Sequence, residues 1–242
     1  MIGQRDAAES SLDPAAFDHY QHSYDEAIQR GLRLTGEPRE YYARGRLRWL
    51  RQYLDREGLH AGRVLDYGCG TGTETALAQS ILGASHVTGV DVSPGLLAAA
   101  RRAWNGGISF RLLEDLPDTP AFDVAISNGV FHHIPRGKRP EAAAYVLRRL
   151  RPGGIFALWE NNPWNPGTRL VMQRIPFDRD AEMLSPSEGS KLLSLAGFTI
   201  RRRAFLFYFP RALALLRPIE RFLTRVPLGG QYCTLATREQ SA

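Results

Sequence analysis

Arg63-Val64-Leu65-Asp66-Tyr67-Gly68-Cys69-Gly70-Thr71-Gly72 runs directly into Thr73-Glu74-Thr75-Ala76-Leu77-Ala78, and this stretch decides the fold. A short apolar run, Val64-Leu65, ends in an acid, turns on alternating glycines and enters a helix-forming segment. Strand, tight glycine turn and helix in that order let a sheet bring its backbone close to a nucleotide, because glycine removes the Cβ that would stand in the way. A second acid, Asp91, closes the next apolar run, Val87-Thr88-Gly89-Val90. It follows Gly72 by 19 positions, near the spacing of roughly 20 expected of a ribose-binding acid.

The glycine spacing narrows the ligand. A dinucleotide fingerprint needs glycine at 73, where this chain has Thr, and no Lys-Ser/Thr pair follows the glycines as a phosphate loop requires. A nucleoside without phosphates suits the pattern: close backbone approach, plus acids for its hydroxyls and for a positive group. S-adenosylmethionine (SAM), with a ribose, an amino acid tail and a sulfonium cation, meets that description. The stretch Val64 to Gly72 resembles motif I of the class I SAM-dependent methyltransferases, and Gly89-Val90-Asp91-Val92-Ser93 resembles their second acidic motif. The resemblance implies a Rossmann-like, doubly wound α/β sheet of seven strands with the last antiparallel. It implies SAM as cofactor, held by Asp66, Gly68, Gly70, Gly72, Asp91 and Val92, with Asp66 at the amino end of SAM and Asp91 on the ribose.

A chain of 242 residues with 43% hydrophobic residues builds one large domain with small additions. No run of ~18 apolar residues predicts a membrane span, and the polar, acidic N-terminus lacks a signal-peptide core. Two cysteines far apart imply no disulfide framework, and cytosol is the expected compartment. The six His and two Cys show no metal-ligand spacing, so no metal is expected. The net charge of +6 reads as a solvated, arginine-rich surface.

Residues 1–14 read as disordered and 15–58 as a helical N-terminal lid, on which Phe17, Tyr20 and Tyr24 share a face. The lid resembles that of small-molecule methyltransferases, which implies that Tyr24 reaches cofactor or substrate. The spacing predicts a helix over 39–57 whose Arg44 or Arg46 offers a guanidinium fork to the SAM carboxylate. Residues 59–242 form the SAM-binding domain. Ser93-Pro94 starts a helix and Ile108 to Leu112 is a strand. The family places an acid after this strand on the adenine, which is Glu114 or Asp115 here. The fourth strand, Phe122 to Asn128, puts Asn128 and Gly129 at its carboxyl edge, where open α/β sheets bind ligands. Asn128-Gly129-Val130-Phe131 replaces the Asp/Asn-Pro-Pro-Tyr of amino-methyltransferases for nucleic acids, so no nucleic acid is expected.

Arg151 to Gly154 reads as a turn before the fifth strand, Ile155 to Glu160. Two cap insertions are expected, about 161–184 and 210–230. In the second, Ala212, Leu215, Leu216, Ile219, Phe222, Leu223 and Val226 repeat at helical period beside four arginines, with Pro218 dividing the run. Packing on its own domain is the ordinary expectation; a basic amphipathic segment also suits a peripheral membrane contact or a lipid-linked substrate through 210–226. Glu160, His133 and His132 are the candidate bases near the site. The leading function is methyl transfer from SAM to an O, N or C atom of a small-molecule acceptor, such as a saccharide, lipid-linked or natural-product intermediate. Methylation of protein or nucleic acid, or a non-catalytic SAM-binding subunit, are the alternatives.

Overall fold

A computed structural model describes residues 24–104, 106–179 and 181–239. The expectations for residues 1–14, Phe17 and Tyr20 lie outside them. Seven strands form one sheet: β1 (Arg63–Tyr67), β2 (His86–Asp91), β3 (Ile108–Leu112), β4 (Phe122–Asn128), β5 (Leu150–Asn161), β6 (Phe198–Leu206) and β7 (Gln231–Arg238). Their order is β3-β2-β1-β4-β5-β7-β6, with β7 antiparallel to both neighbours. The chain reverses direction across the sheet between β1 and β4. A crevice therefore opens at their carboxyl ends.

Helices α1 (Tyr24–Leu32), α2 (Arg39–Glu57), α3 (Thr73–Leu82), α4 (Pro94–Ala103), α5 (Arg139–Arg149), α6 (Pro166–Met172), α7 (Pro186–Leu195) and the single turn α8 (Glu220–Leu223) surround it among the described residues. Strand alternation sorts the core into two faces. Leu65, Tyr67, Ala125, Phe156 and Leu158 pack with Ala142, Val146 and Leu193 of α5 and α7. Val64, Val124, Ile126, Ala157 and Trp159 pack with Leu47, Leu50 and Leu54 of α2 and Ala78 and Leu82 of α3. Helix starts follow local chemistry: Ser93 caps α4 by accepting from Leu96 N, and Ser185 with Glu188 forms a capping box on α7.

Two elements differ from expectation. The turn at 151–154 lies inside β5, as a bulge between the pairs Phe122↔Leu150 and Val124↔Ile155, with Gly153 at φ 80°. The second insertion does not pack its apolar stripe on the domain. It forms a 3-10 segment, Arg211–Ile219, and α8, with no residue of either buried.

Helix α2 is clamped to α3 by a buried ion pair. Arg46 Nε and Nη2 donate to Glu74 Oε1 and Oε2 at 3.0 and 2.7 Å, and Nη1 reaches Gln231 Oε1 at 2.8 Å. Removing one member of such a pair strands the other charge out of water. Arg46→Ala is expected to lower unfolding free energy by about 3–5 kcal/mol, read from urea denaturation, with Arg46→Lys retaining only part of it.

Candidate active site

The glycine turn is built by backbone bonds to β2. Gly68 N and Cys69 N both donate to Val90 O at 2.8 and 3.0 Å, and Gly70 N donates to Asp91 Oδ2 at 2.8 Å. Asp91 Oδ1 accepts from Ser93 N at 3.0 Å. Gly68 and Gly70 sit at φ 76° and 53°, and a Cβ on Gly68 would stand 2.3 Å from Val130 Cγ2, so both the conformation and the space require glycine. Tyr24 covers the turn: a Cβ on Gly70 would meet its ring at 3.5 Å. Its ring stacks on Phe177 at 4.9 Å, and burial raises its hydroxyl pKa.

A cavity of about 50 Å³ lies beside the turn, lined by Tyr67, Asp91, Val92, Leu113, Asn128 and Val130 among others. It shares Tyr24, Gly68, Asn128, Gly129 and His133 with a larger cavity of about 470 Å³. Asn128 Oδ1 is buried and has no hydrogen-bond partner among the described residues. Asp66 stands under the turn, accepting from Thr75 Oγ1 at 2.6 Å; burial and the neighbouring Glu74 charge push its carboxyl up to about 7.

A second cluster lines the larger cavity. Glu160 falls on the same strand face as Phe156 and Leu158, so its side chain turns under the segment after β4. There Oε1 accepts from Phe131 N at 2.8 Å and Oε2 meets His132 Nδ1 at 2.6 Å. His132 Nε2 stands 3.5 Å from Asp178 Oδ1, and His133 Nε2 is 3.1 Å from the same oxygen. Burial opposes a charge on His132, but the Glu160 and Asp178 carboxylates outweigh it and push the imidazole up to about 10. Burial and the charge on His132 push His133 down instead. Burial would raise Asp178, but the two imidazoles beside it hold it at about 2. The cluster therefore holds two adjacent imidazoles pushed in opposite directions, His132 up and His133 down. Donor atoms of His132, His133 and Asp178 lie within 4.8 Å of one another, a grouping the sequence spacing gave no hint of. A cation there would have to displace the proton that already balances the carboxylates.

Residues 64–154 match the profile of a family described as "Methyltransferase domain". Over these residues the chain is similar to methyltransferase domains. A ribosomal protein L11 methyltransferase of Dechloromonas aromatica (strain RCB) is 38% identical over 109 residues, which is 44% of this chain and 35% of the relative. A trans-aconitate 2-methyltransferase of Escherichia coli O1:K1 / APEC is 26% identical over 118 residues, 48% of this chain and 46% of the relative. The chain spans less than half the length of either. A TehB-like SAM-dependent methyltransferase of Corynebacterium glutamicum ATCC 13032 Kitasato is similar in fold, with TM-score 0.59, 17% identity and coverage of 94% of this chain and 100% of that one.

SAM is the cofactor of such a domain, and the residues present fit it. The turn leaves room only where glycine has no side chain, and Asn128, which lines both cavities, has a buried Oδ1 with no donor among the described residues. Around the methyltransferase site the structure brings together Tyr24, Asp66, Gly68, Arg46, Asp91, Val92, Asn128, Gly129, His132 and His133 as cavity lining. Other expected residues fall elsewhere. Arg44 is exposed, because it lies about 200° around α2 from Arg46. Arg39, seven residues before Arg46 and so on its face, lines the cavity instead and donates to Thr71 Oγ1 at 3.0 Å. Arg46 has its fork committed to Glu74. Glu114 and Asp115 are exposed and Leu113 takes the lining position, because the chain after β3 turns them outward. Glu160 is 1% exposed, has both oxygens engaged and lines neither cavity. Sequence reasoning missed Asp178; the only signal was an acid in a long connection.

The two histidines are expected to titrate far apart. In nitrogen-15 spectra at neutral pH the His132 ring carries both protons and the His133 ring one, and Asp178→Asn moves the His132 transition to lower pH.

Proposed function

We propose that the protein transfers the methyl group of SAM to a hydroxyl of a small-molecule acceptor seated in the larger cavity. The observation that carries this reading is the single cavity of about 470 Å³ that runs from the glycine turn to the His132–His133–Asp178 cluster. Its volume suits a small ligand, and segments 161–178 and 207–210 wall it in. The L11 methyltransferase relative names a protein acceptor, but a walled cavity favours a small molecule over a protein surface.

SAM, when bound, supplies a methyl group on a sulfonium that leaves as a neutral thioether. Asp91 and the backbone of the turn would hold its ribose, and Asp66 its ammonium end. Asn128 and the wall of Val92, Leu96 and Leu113 would hold its adenosine. Arg39 and Arg46 would stand near its carboxylate. The protein's own work is to orient the acceptor, a gain in proximity, and to take its proton. His133 is the group suited to that: it lines both cavities, and burial and the His132 charge keep it neutral. As the acceptor oxygen bonds to the methyl carbon, its O–H bond breaks and the proton passes to the His133 imidazole. Asp178 then faces an imidazolium it stabilises. Glu160 and His132 hold Asp178 in place and are positioning residues.

His133→Asn is expected to lower kcat by about 10²–10⁴ with labelled SAM and hydroxyl acceptors, while calorimetry shows SAM affinity unchanged. Loss of SAM affinity in that variant would remove the base assignment. Asp66 supplies a pH test. Its carboxyl sits at about 7 without ligand, and the ammonium end of SAM favours the ionised form. SAM affinity should therefore rise as pH increases through that value, and Asp66→Asn should lower affinity and flatten the profile.

A further inference from the structure

The segment 211–228 is built inside out. Two of its charged side chains, Arg217 and Glu220, face the protein. Arg217 Nη2 donates to Glu37 Oε1 at 2.8 Å, Nε donates to Phe209 O at 3.3 Å, and the guanidinium lies 4.5 Å from the Tyr41 ring. Glu220 Oε1 accepts from the backbone N–H groups of Tyr208 and Phe209 at 3.1 and 2.9 Å. Tyr208 Oη bonds to the carbonyls of Leu223 and Val226, and Asn162 Nδ2 to those of Pro227 and Gly229. The apolar side chains face outward: Leu215 is 96% exposed, Phe222 71% and Leu228 59%. Leu213, Leu216, Ile219 and Val226 complete the surface. A segment this firmly tied down, with Arg217 and Glu220 turned inward and its leucines outside, presents an apolar surface by construction, and such patches mark docking sites.

Charge and position select the occupant. Arg211, Arg221 and Arg225 are exposed around the apolar side chains, and the segment's one acid, Glu220, is turned inward. Arg33 and Arg169, each next in sequence to an exposed leucine of the cavity lining, are exposed as well. Leu34 and Leu170, 48% and 46% exposed, line the larger cavity. The cavity wall continues inward through Phe207, Tyr208, Phe209 and Pro210. The apolar surface is thus continuous with the mouth of the cavity. No helix among the described residues is long and apolar enough to cross a membrane, so the contact is interfacial.

We infer that residues 211–228 dock the protein on an anionic lipid bilayer, apolar side chains in the acyl boundary and arginines among the head groups, with the cavity mouth turned to the lipid. Resting on the methyl-transfer reading, this makes the acceptor an amphiphile whose hydroxyl-bearing head enters from the bilayer. The arrangement combines an apolar insertion with electrostatic attraction, the two signals stable interfacial binding needs.

The test is co-sedimentation of the full chain with phosphatidylcholine vesicles, with and without phosphatidylglycerol. The expected result is binding at least about tenfold tighter to the anionic vesicles, weakened by salt. Leu215→Asp with Phe222→Asp should abolish sedimentation, and Arg221→Glu with Arg225→Glu should remove the preference for anionic lipid. Calorimetry with SAM on the same variants reports whether the fold is intact, since neither pair lines the cavity. Absence of sedimentation by the wild-type chain, or equal sedimentation of the aspartate variant, overturns the inference. So does a dimer that the aspartate variant dissociates when vesicles do not bind, which would assign the surface to a second copy. Vesicle binding without SAM affinity would leave the docking intact and remove the methyl-transfer reading instead.

Discussion

Three N–H groups of one turn, at Gly68, Cys69 and Gly70, are held by the Val90 carbonyl and the Asp91 carboxylate at the end of the neighbouring strand. Everything about the cofactor side depends on that pinning. It fixes a backbone with positive φ at Gly68, Gly70 and Gly72, which leaves no Cβ above the sheet edge. It also sets Asp91 beside the turn, so the carboxylate that would take a ribose is the same group that shapes the loop. A buried carboxylate needs donors, and here the loop's own amides and Ser93 supply them.

The lid elements are coupled to this turn through polar bonds rather than apolar packing alone. Asp25 on α1 accepts from Thr71 Oγ1 at 2.9 Å, Arg39 on α2 joins both, and Trp104 Nε1 donates to Thr71 O at 2.9 Å. Arg46 and Glu74 then lock α2 onto α3, directly behind the cavity. Such bonds have a geometry, so they hold Tyr24 at one distance over the glycines. The opposite wall uses the same device at higher charge density. Glu160 and Asp178 both face His132 and push its imidazole up, while burial and the charge on His132 push the adjacent imidazole down. Two neighbouring histidines are thereby shifted in opposite directions by their surroundings alone.

Much of the fold was legible along the chain, and the reason is local. The run Val64 to Gly72 and the acid at 91 are short-range patterns whose backbone demands are met by residue type at each position. The strands and the capped start of α4 follow equally from local chemistry, whereas the antiparallel last strand was implied by the resemblance. The legible part of the site was the part made by these turns: Asp66, the glycines, Asp91 and Asn128-Gly129. What failed were choices among like residues. Arg44 and Arg46 differ only in helix phase, and phase is set by which face α2 buries. Glu114 and Asp115 are both acids after a strand, and the path of the chain turned both to water.

The sequence by itself determined a nucleoside-binding α/β sheet and the chemistry at its first turn, because glycine conformation and strand-end acids act over a few residues. Tertiary structure alone decided that Asp178 meets His132 and His133 across 45 residues of chain, and that Glu160 is fully engaged beneath them. It also decided that the apolar stripe of 211–228 faces outward. The stripe's periodicity predicts an amphipathic element but not which side the domain takes. That was settled by where Arg217, Glu220 and Tyr208 found partners, and a buried polar group goes where its hydrogen bonds are.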